Sequence, residues 1–429
     1  TYVSNNWLYA YNPGALPSYS TPGKVQVAAA AGLYLYSGDG TTGWTVDQLN
    51  ALHASGAFIA SNSMMAVDTT YAPVVGLGNM AGFAFYKYGT NTLTLTGVNT
   101  NRASPSGEHS NLRVYAGKMI LSSASSNVYG RCYVLPGSVG ATLQIDGLTT
   151  FTDTLYVGNG NGDRSTVIVN TNTTANRAWV GINQIASGAL IQNGGTFDVA
   201  PSTGSTQVFE IGRDGAYGYY RLNDGTLRTG QFAVGGGSGN ALTANCGVFE
   251  QFGGAVNVLS STGWLIWGWA GGNGVANLFG GTLVAPNANW VSMAHTANYG
   301  SFGMLNLLGP KAFLHTVTGS TSRVINMANA AGNLMSVINL NAGTILANQI
   351  IAGTKGTPSF LNFAGGTLLA NAGTTLGGTF LQGLTATTVY PGGAVIDTTN
   401  ANITVNQSLL APTGYGVASI PVVNGGAGY

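Results

Sequence analysis

Thirteen carboxylates, four histidines and two cysteines are what this 429-residue chain offers for carboxylate, imidazole, thiol or metal chemistry. The histidines, His53, His109, His295 and His315, lie in four separate stretches, and none has a second His or a Cys at a metal-ligand spacing. No nucleophile elbow and no phosphate-binding glycine loop occurs. Polysaccharide cleavage needs two or three carboxylates that converge, on Ca²⁺ or a few Å apart. Asp198 and Asp224 are nearly one repeat apart, but they fall on opposite sides of a recurring turn and should not align. Asp163 in "GNGNGDRST" and Asp214 in "GRDGAY" each have an arginine neighbour, Arg164 and Arg213, and read as solvated turn pairs. The residues therefore assign no catalytic group, no cofactor and no metal ligand. Cys132 and Cys246 fit neither a redox nor a metal spacing. They are expected as unpaired, buried thiols.

Recognition is better supplied than catalysis. "NWLYAY" carries Trp7, Tyr9 and Tyr11; "GWLIWGWAGG" carries Trp264, Trp267 and Trp269; "YGYYRL" adds Tyr217, Tyr219 and Tyr220. Strand alternation puts Trp267 and Trp269 on one face with Trp264 nearby. Such rings either fill a core and stack in ladders or form an exposed row for a partner or a glycan. Trp7, Tyr9, Tyr11, Trp264, Trp267 and Trp269 are the candidate interface residues.

The elements that position these residues repeat. Short apolar phrases close on Gly-Gly-Thr or a variant: "IQNGGTFDV", "RLNDGTLRT", "EQFGGAVNV", "NLFGGTLVA", "NLNAGTILA", "LNFAGGTLLA" and "YPGGAVIDT". The marker glycines are Gly195, Gly225, Gly254, Gly281, Gly343, Gly366 and Gly393, with Pro310 in a degenerate copy. Successive markers stand about 30 residues apart, a period typical of stacked repeats. Gly117 and Gly147 mark weaker copies. Upstream of each marker lies a second phrase, such as "LYVGNGNG", "FEIGRDGA" or "FAVGGGSG". Each unit is strand, turn, strand, turn, strand, and cannot bury an apolar face without its neighbours. The fold class is therefore all-β: a right-handed parallel β-helix of about 10–11 coils, at roughly 4.8 Å per coil. Residues 81–429 form the repeats, residues 1–30 an extended segment, and residues 31–80 a cap. The cap holds one helix near 45–55, with a capping box from Thr45 to Gln48, apolar Leu49 and Leu52, and Gly56 as its stop. The other end, "PVVNGGAGY", has no comparable cap, and either further chain or another molecule is expected to cover it.

Composition narrows the function. Charged residues are 6%, net charge is +1, and no basic run exists to neutralise phosphates. Nucleic-acid partners are thus excluded. With 45% apolar residues and a mean hydropathy of +0.19, the chain can bury a core, and no apolar run is long enough to span a bilayer. A surface this poor in charge offers little repulsion between copies.

"YGTNTLTLTGVNT" (Tyr88 to Thr100) followed by "RVYAGKMILSS" resembles the autotransporter-associated β-strand repeat. The G-G-T-L units are similar to repeats in type V secretion passengers, and the "WTVDQLNAL" block to segments that precede such repeats in large secreted proteins of environmental bacteria. The resemblance covers the chain from about Trp44 onward and implies an extracellular or cell-surface scaffold. The first expectation is a structural protein that self-assembles into a homopolymer through open solenoid ends and an N-terminal strand. The second is an adhesin-like stalk that contacts surfaces or glycans, and the third a polysaccharide lyase or hydrolase.

Overall fold

The computed structural model describes residues 1–413, apart from 61, 101–110, 136–138, 161, 200–206, 238–244, 287, 289, 296–299, 317–323, 330–332, 354–356, 372–378 and 400. It is a parallel β-solenoid of about 14 turns, 58% strand and 3% helix. At the rung spacing of a parallel sheet this makes a rod roughly 70 Å long.

The strands stack into three walls. Wall A begins with Asn6–Ala10, Ala31–Tyr36, Met64–Asp68 and Ala84–Tyr88 and continues rung by rung to Thr404–Asn406. Wall B begins at Val74–Gly78 and ends at Leu409–Leu410. Wall C starts with the second half of Leu93–Thr100 and ends at Val395–Asp397. Alternation explains the walls: along Arg164–Val169 every second residue is buried and the others face outward. The inward residues merge into one core running from Val3 to Leu384.

The turn count exceeds the expected 10–11 for two reasons. Some turns are short: Asn170 and Asp146 are bonded neighbours 24 residues apart. Residues 1–80 also wind as turns. Asn6–Ala10 pairs in register with Ala31–Tyr36, so the segment expected to be extended is the first rung of wall A. It packs on its own chain and is not an arm held out for a neighbour's sheet.

The helix, α1 (Val46–Ala54), lies where expected. Thr45 Oγ1 accepts from Gln48 N–H at 3.3 Å, and Gln48 Oε1 accepts from Thr45 N–H at 2.9 Å. Leu49 and Leu52 are buried in the core. The Asn50 side chain accepts from Gly78 N–H at 3.1 Å, so α1 meets the edge of the first strand of wall B. Gly56, just past it, has φ +73°.

The Gly-Gly-Thr phrase is the corner between walls B and C. Thr226 N–H donates to Gly195 O, Ala255 N–H to Gly225 O, and Thr282 N–H to Gly254 O, at 2.8, 2.8 and 3.0 Å. Gly195, Gly225, Gly254, Gly281, Gly343 and Gly393 all have positive φ. Two markers differ. In the degenerate copy the series passes through Ala312, which accepts from Thr344 N–H at 2.9 Å, and not through Pro310. In "FAGGT" the left-handed residue is Gly365, φ +122°, while a Cβ on Gly366 would meet Leu340 at 2.6 Å. Gly366 is thus a glycine for room, not for φ. Of the weaker markers, Gly117 pairs with Ala141 in wall B and belongs to a different corner from Gly147. "PVVNGGAGY" lies outside the described residues.

Candidate interaction surface

Successive rungs of wall A bring one outward column into register: Tyr9, Tyr34, Ala66, Tyr86, Arg113, Tyr133, Tyr156 and Trp179. A second column beside it holds Tyr11, Tyr36 and Asp68 in successive rungs, with Tyr88 facing Asp68 and Tyr115 following. The rung spacing suits aromatic contact, so the rings stack along the axis. Tyr133 and Tyr156 lie 4.4 Å apart at 7°, Tyr88 and Tyr115 4.5 Å apart at 10°, and Tyr11 and Tyr36 4.6 Å apart at 4°. Arg113 takes the place of a ring in the first column, its guanidinium 5.3 Å from the centre of Tyr86 and 5.2 Å from that of Tyr133.

Where the column meets Ala66, small residues let a second apolar cluster form outside the core. Met64, Ala66, Ala84 and Tyr86 are buried there, with Trp7, Tyr34, Tyr88 and Tyr115 packed over them. Trp7 can lie down because Gly32 opposite it has no side chain; a Cβ there would meet the indole at 2.5 Å. A cavity of about 320 Å³ opens between Trp7, Met64, Tyr86 and Arg113. Tyr34 donates its hydroxyl to Asp68 at 2.7 Å, and burial plus that carboxylate push its ionisation far above the ordinary phenol range. Tyr36 is pushed up to about 12, first by burial. Outermost, Tyr9, Tyr11 and Tyr71 are 52%, 55% and 63% exposed.

The structure brings Trp7, Tyr9 and Tyr11 together on this flank but separates the other three candidates from it. Trp267 is fully buried in the core, so it is no interface residue. Gly268, at φ +73°, breaks the alternation, and Trp269 emerges on the same side as Trp264. Those two rings meet at 5.0 Å, and Ile266 between them is fully buried. They cover the strand they come from. Tyr220 is also core, donating its hydroxyl to Gln192 at 2.8 Å. The flank's longest run escapes a phrase-by-phrase reading of the sequence, although it leaves a signal there. Tyr133, Tyr156 and Trp179 recur at equal spacing, each directly before a valine.

The acidic residues do not converge into a free pair among the described residues. Asp198 sits opposite Arg228 in the next rung and pairs with it at 2.6 Å, away from Asp224. Arg131 holds Asp153 at 2.5 Å. Glu210 and Asp214 do approach each other, but Arg213 lies between them, at 2.6 and 3.0 Å, with its guanidinium over Trp179. Burial raises Glu210 despite that arginine. Asp163 is a correction: it is buried, not solvated, and accepts from Asn159 N–H at 3.1 Å. His109 and Glu108 lie outside the described residues. No cluster of three His, Cys, Asp or Glu side chains placed for a metal occurs among the described residues. Both cysteines are free; Cys132 is buried, but Cys246, on an outward position of wall B, is only half-buried. No helix among the described residues is long and apolar enough to cross a membrane.

The chain matches no protein-family model, no curated protein and no solved structure.

Proposed function

We propose that this protein is an extracellular structural rod that associates laterally with copies of itself through the tyrosine flank of wall A. The observation that carries the reading is the aromatic-rich surface from Trp7 to Trp179, interrupted in its main column only by Ala66 and Arg113, on a chain with 6% charged residues. A phenol hydroxyl both donates and accepts, so a tyrosine face is complementary to itself and suits an isologous contact. Aromatic residues also favour the desolvated centres of interfaces. The outward positions offer packing surface instead of reacting groups, and the rod is read as non-catalytic. The extracellular setting is supported by the repeat resemblance of the Tyr88–Thr100 phrase.

Sedimentation velocity over a micromolar dilution series, with electron microscopy of the same samples, tests the proposal. The native chain is expected to form concentration-dependent bundles or sheets. A Tyr9→Ser, Tyr11→Ser, Tyr71→Ser triple variant, altered only at exposed rings, is expected to remain as single rods. Single native rods at every concentration would sink the reading and leave the stalk alternative in its place.

A further inference from the structure

A different wall carries a different kind of surface. On wall B, outward Arg164 and Thr166 are followed one rung later by Ser187 and Ala189, and one rung later again by Tyr217 and Tyr219. The small pair between longer side chains leaves an open trough of about 480 Å³. It lies within the size range of small-ligand sites. Its outer rungs are roughly 10 Å apart, two parallel-strand steps.

Three observations make the trough more than a dip. First, Tyr217 and Tyr219 stack on no other ring among the described residues, unlike the tyrosines of wall A, so the faces toward Ser187 and Ala189 stay uncovered. Second, Tyr219 is held in place: its hydroxyl donates to Glu250 at 2.6 Å. A fixed ring loses less entropy on binding than a free one. Third, Arg164 is exposed and has no ion pair among the described residues, while Arg131, Arg213 and Arg228 are each paired to a carboxylate. Its neighbour Asp163 is buried and turned to Asn159 N–H, which leaves the Arg164 charge uncompensated on that side. The hydroxyls of Thr166 and Ser187 add donors and acceptors between the arginine and the rings.

We propose that this trough binds a uronate unit of an acidic polysaccharide. The pyranose lies against Tyr217 and Tyr219, where its slightly positive C–H edges meet the negative ring faces. Its carboxylate pairs with Arg164, whose planar fork suits a two-point contact. Thr166 and Ser187 bond the ring hydroxyls. The site does not rest on lateral association, since it uses none of the tyrosines of wall A.

The test is calorimetric titration of the full chain with hexamers of galacturonate, mannuronate and glucuronate, and with a neutral galactose hexamer. At least one uronate hexamer is expected to bind, and the neutral hexamer about tenfold more weakly. Arg164→Gln should bring uronate binding down to the neutral level. Tyr217→Ala, at a residue 45% exposed, should weaken both kinds of hexamer about tenfold. Should that variant fold poorly, amide exchange of the native chain serves instead. Bound uronate is expected to protect residues 164–166, 187–189 and 217–219. No binding by any of the three uronates, equal binding of the neutral hexamer, or binding unchanged in both variants would overturn the proposal.

Discussion

On the first turns, the outward rings of wall A pack on one another, tilted as at Tyr9 and Tyr34 or stacked as at Tyr133 and Tyr156. On the later turns, wall B carries asparagines instead. Asn277, Asn306, Asn339 and Asn362 occupy one column, and each Nδ2 donates to the Oδ1 before it at 2.8, 2.7 and 2.8 Å, with Asn277 reaching Glu250 at 3.4 Å. A shorter ladder, Asn223, Asn193, Asn170, also ends on a carboxylate, that of Asp146. Both devices exploit one fact: a solenoid repeats each outward position at the rung spacing, so a side chain that can satisfy its own copy is satisfied all along the column. What differs is the remainder. An amide ladder leaves groups that water can complete, and a carboxylate suits its acceptor end. A ring ladder leaves apolar edges and hydroxyls. The same scaffold thus gives one flank an amide surface and another an aromatic one by choice of residue.

The comparison breaks most visibly at Tyr34. This ring touches Tyr9, Tyr36 and Tyr88 at 4.8, 5.2 and 5.1 Å, and its hydroxyl bonds Asp68. Tyr34→Ala should cost about 3 kcal/mol, from lost packing plus the loss of the Asp68 Oδ2 partner, while Asp68 Oδ1 keeps its bonds from Thr70. Solenoid turns contact only their neighbours, so the loss is local. Amide exchange should show it from Asn6 to Tyr88 and leave the turns beyond Glu250 unchanged. Equal loosening at both places would mean that the two flanks are one cooperative unit.

Alkali should separate the halves as well. Lys87 is buried in the wall A corner, its Nζ donating to Ala116 O at 2.7 Å and to Gly89 O, and burial lowers its ionisation to about 8. The unfolded chain holds that proton up to about 10.4. Between about 8 and 10 the unfolded state binds more protons, so the first turns should gain stability as pH rises. Tyr34, Tyr36 and Tyr88 act oppositely. Their folded values are raised, so their stabilisation is complete below about 10 and is lost as pH climbs through them. Protection of the first turns should therefore peak near pH 10 and then fall, with a flat profile across the asparagine ladder. Lys87→Met should abolish the rise and keep the fall.

Two buried tyrosines sharpen the contrast at about 1 kcal/mol each. The Tyr220 hydroxyl has Gln192 as partner, whereas that of Tyr129 has none among the described residues. Tyr220→Phe should loosen its turn by about 1 kcal/mol, and Tyr129→Phe should tighten its own by a similar amount. Opposite signs in amide exchange are the expected result; the same sign in both would show that ring packing, not the hydroxyl, decides.

Much of this is readable from residue order. The corners at Gly195, Gly225, Gly254, Gly281 and Gly343, the capping box of α1 and the unpaired cysteines follow from turn chemistry, local hydrogen bonding and spacing. Three features escape for definite reasons. Strict alternation carried through Gly268 puts Trp267 outward, but the left-handed backbone of that glycine reverses the side on which Trp269 emerges. Residues 6–10 look separate because the Gly-Gly-Thr corner is missing there, although parallel pairing needs only the strand. The trough of Ser187 and Ala189 is invisible because it is made by what those residues lack, relative to Arg164 and Tyr219 in adjacent turns. Relief across rungs appears only once the register is known.

The smallest expected effect is at Asn306, in the middle of the ladder. Asn306→Ala removes one donor and one acceptor together and leaves the Asn277 Oδ1 and the Asn339 Nδ2 facing a gap. Both are half-buried, so water can reach them, and the cost should be about 0.5 kcal/mol, without the full penalty of an orphaned buried group. Exchange should quicken in Gly272–Leu278, Ser301–Leu307 and Leu334–Leu340 and nowhere on the tyrosine flank. Asn306→Asp separates bond count from ladder sense. A carboxylate still accepts from Asn339 but cannot donate to Asn277, so it should cost as much as alanine at pH 7 and less when protonated at pH 3. If aspartate were as good as asparagine at pH 7, the ladder would be a row of independent acceptors. The carboxylates at Glu250 and Asp146 would then have no special claim to the ladder ends.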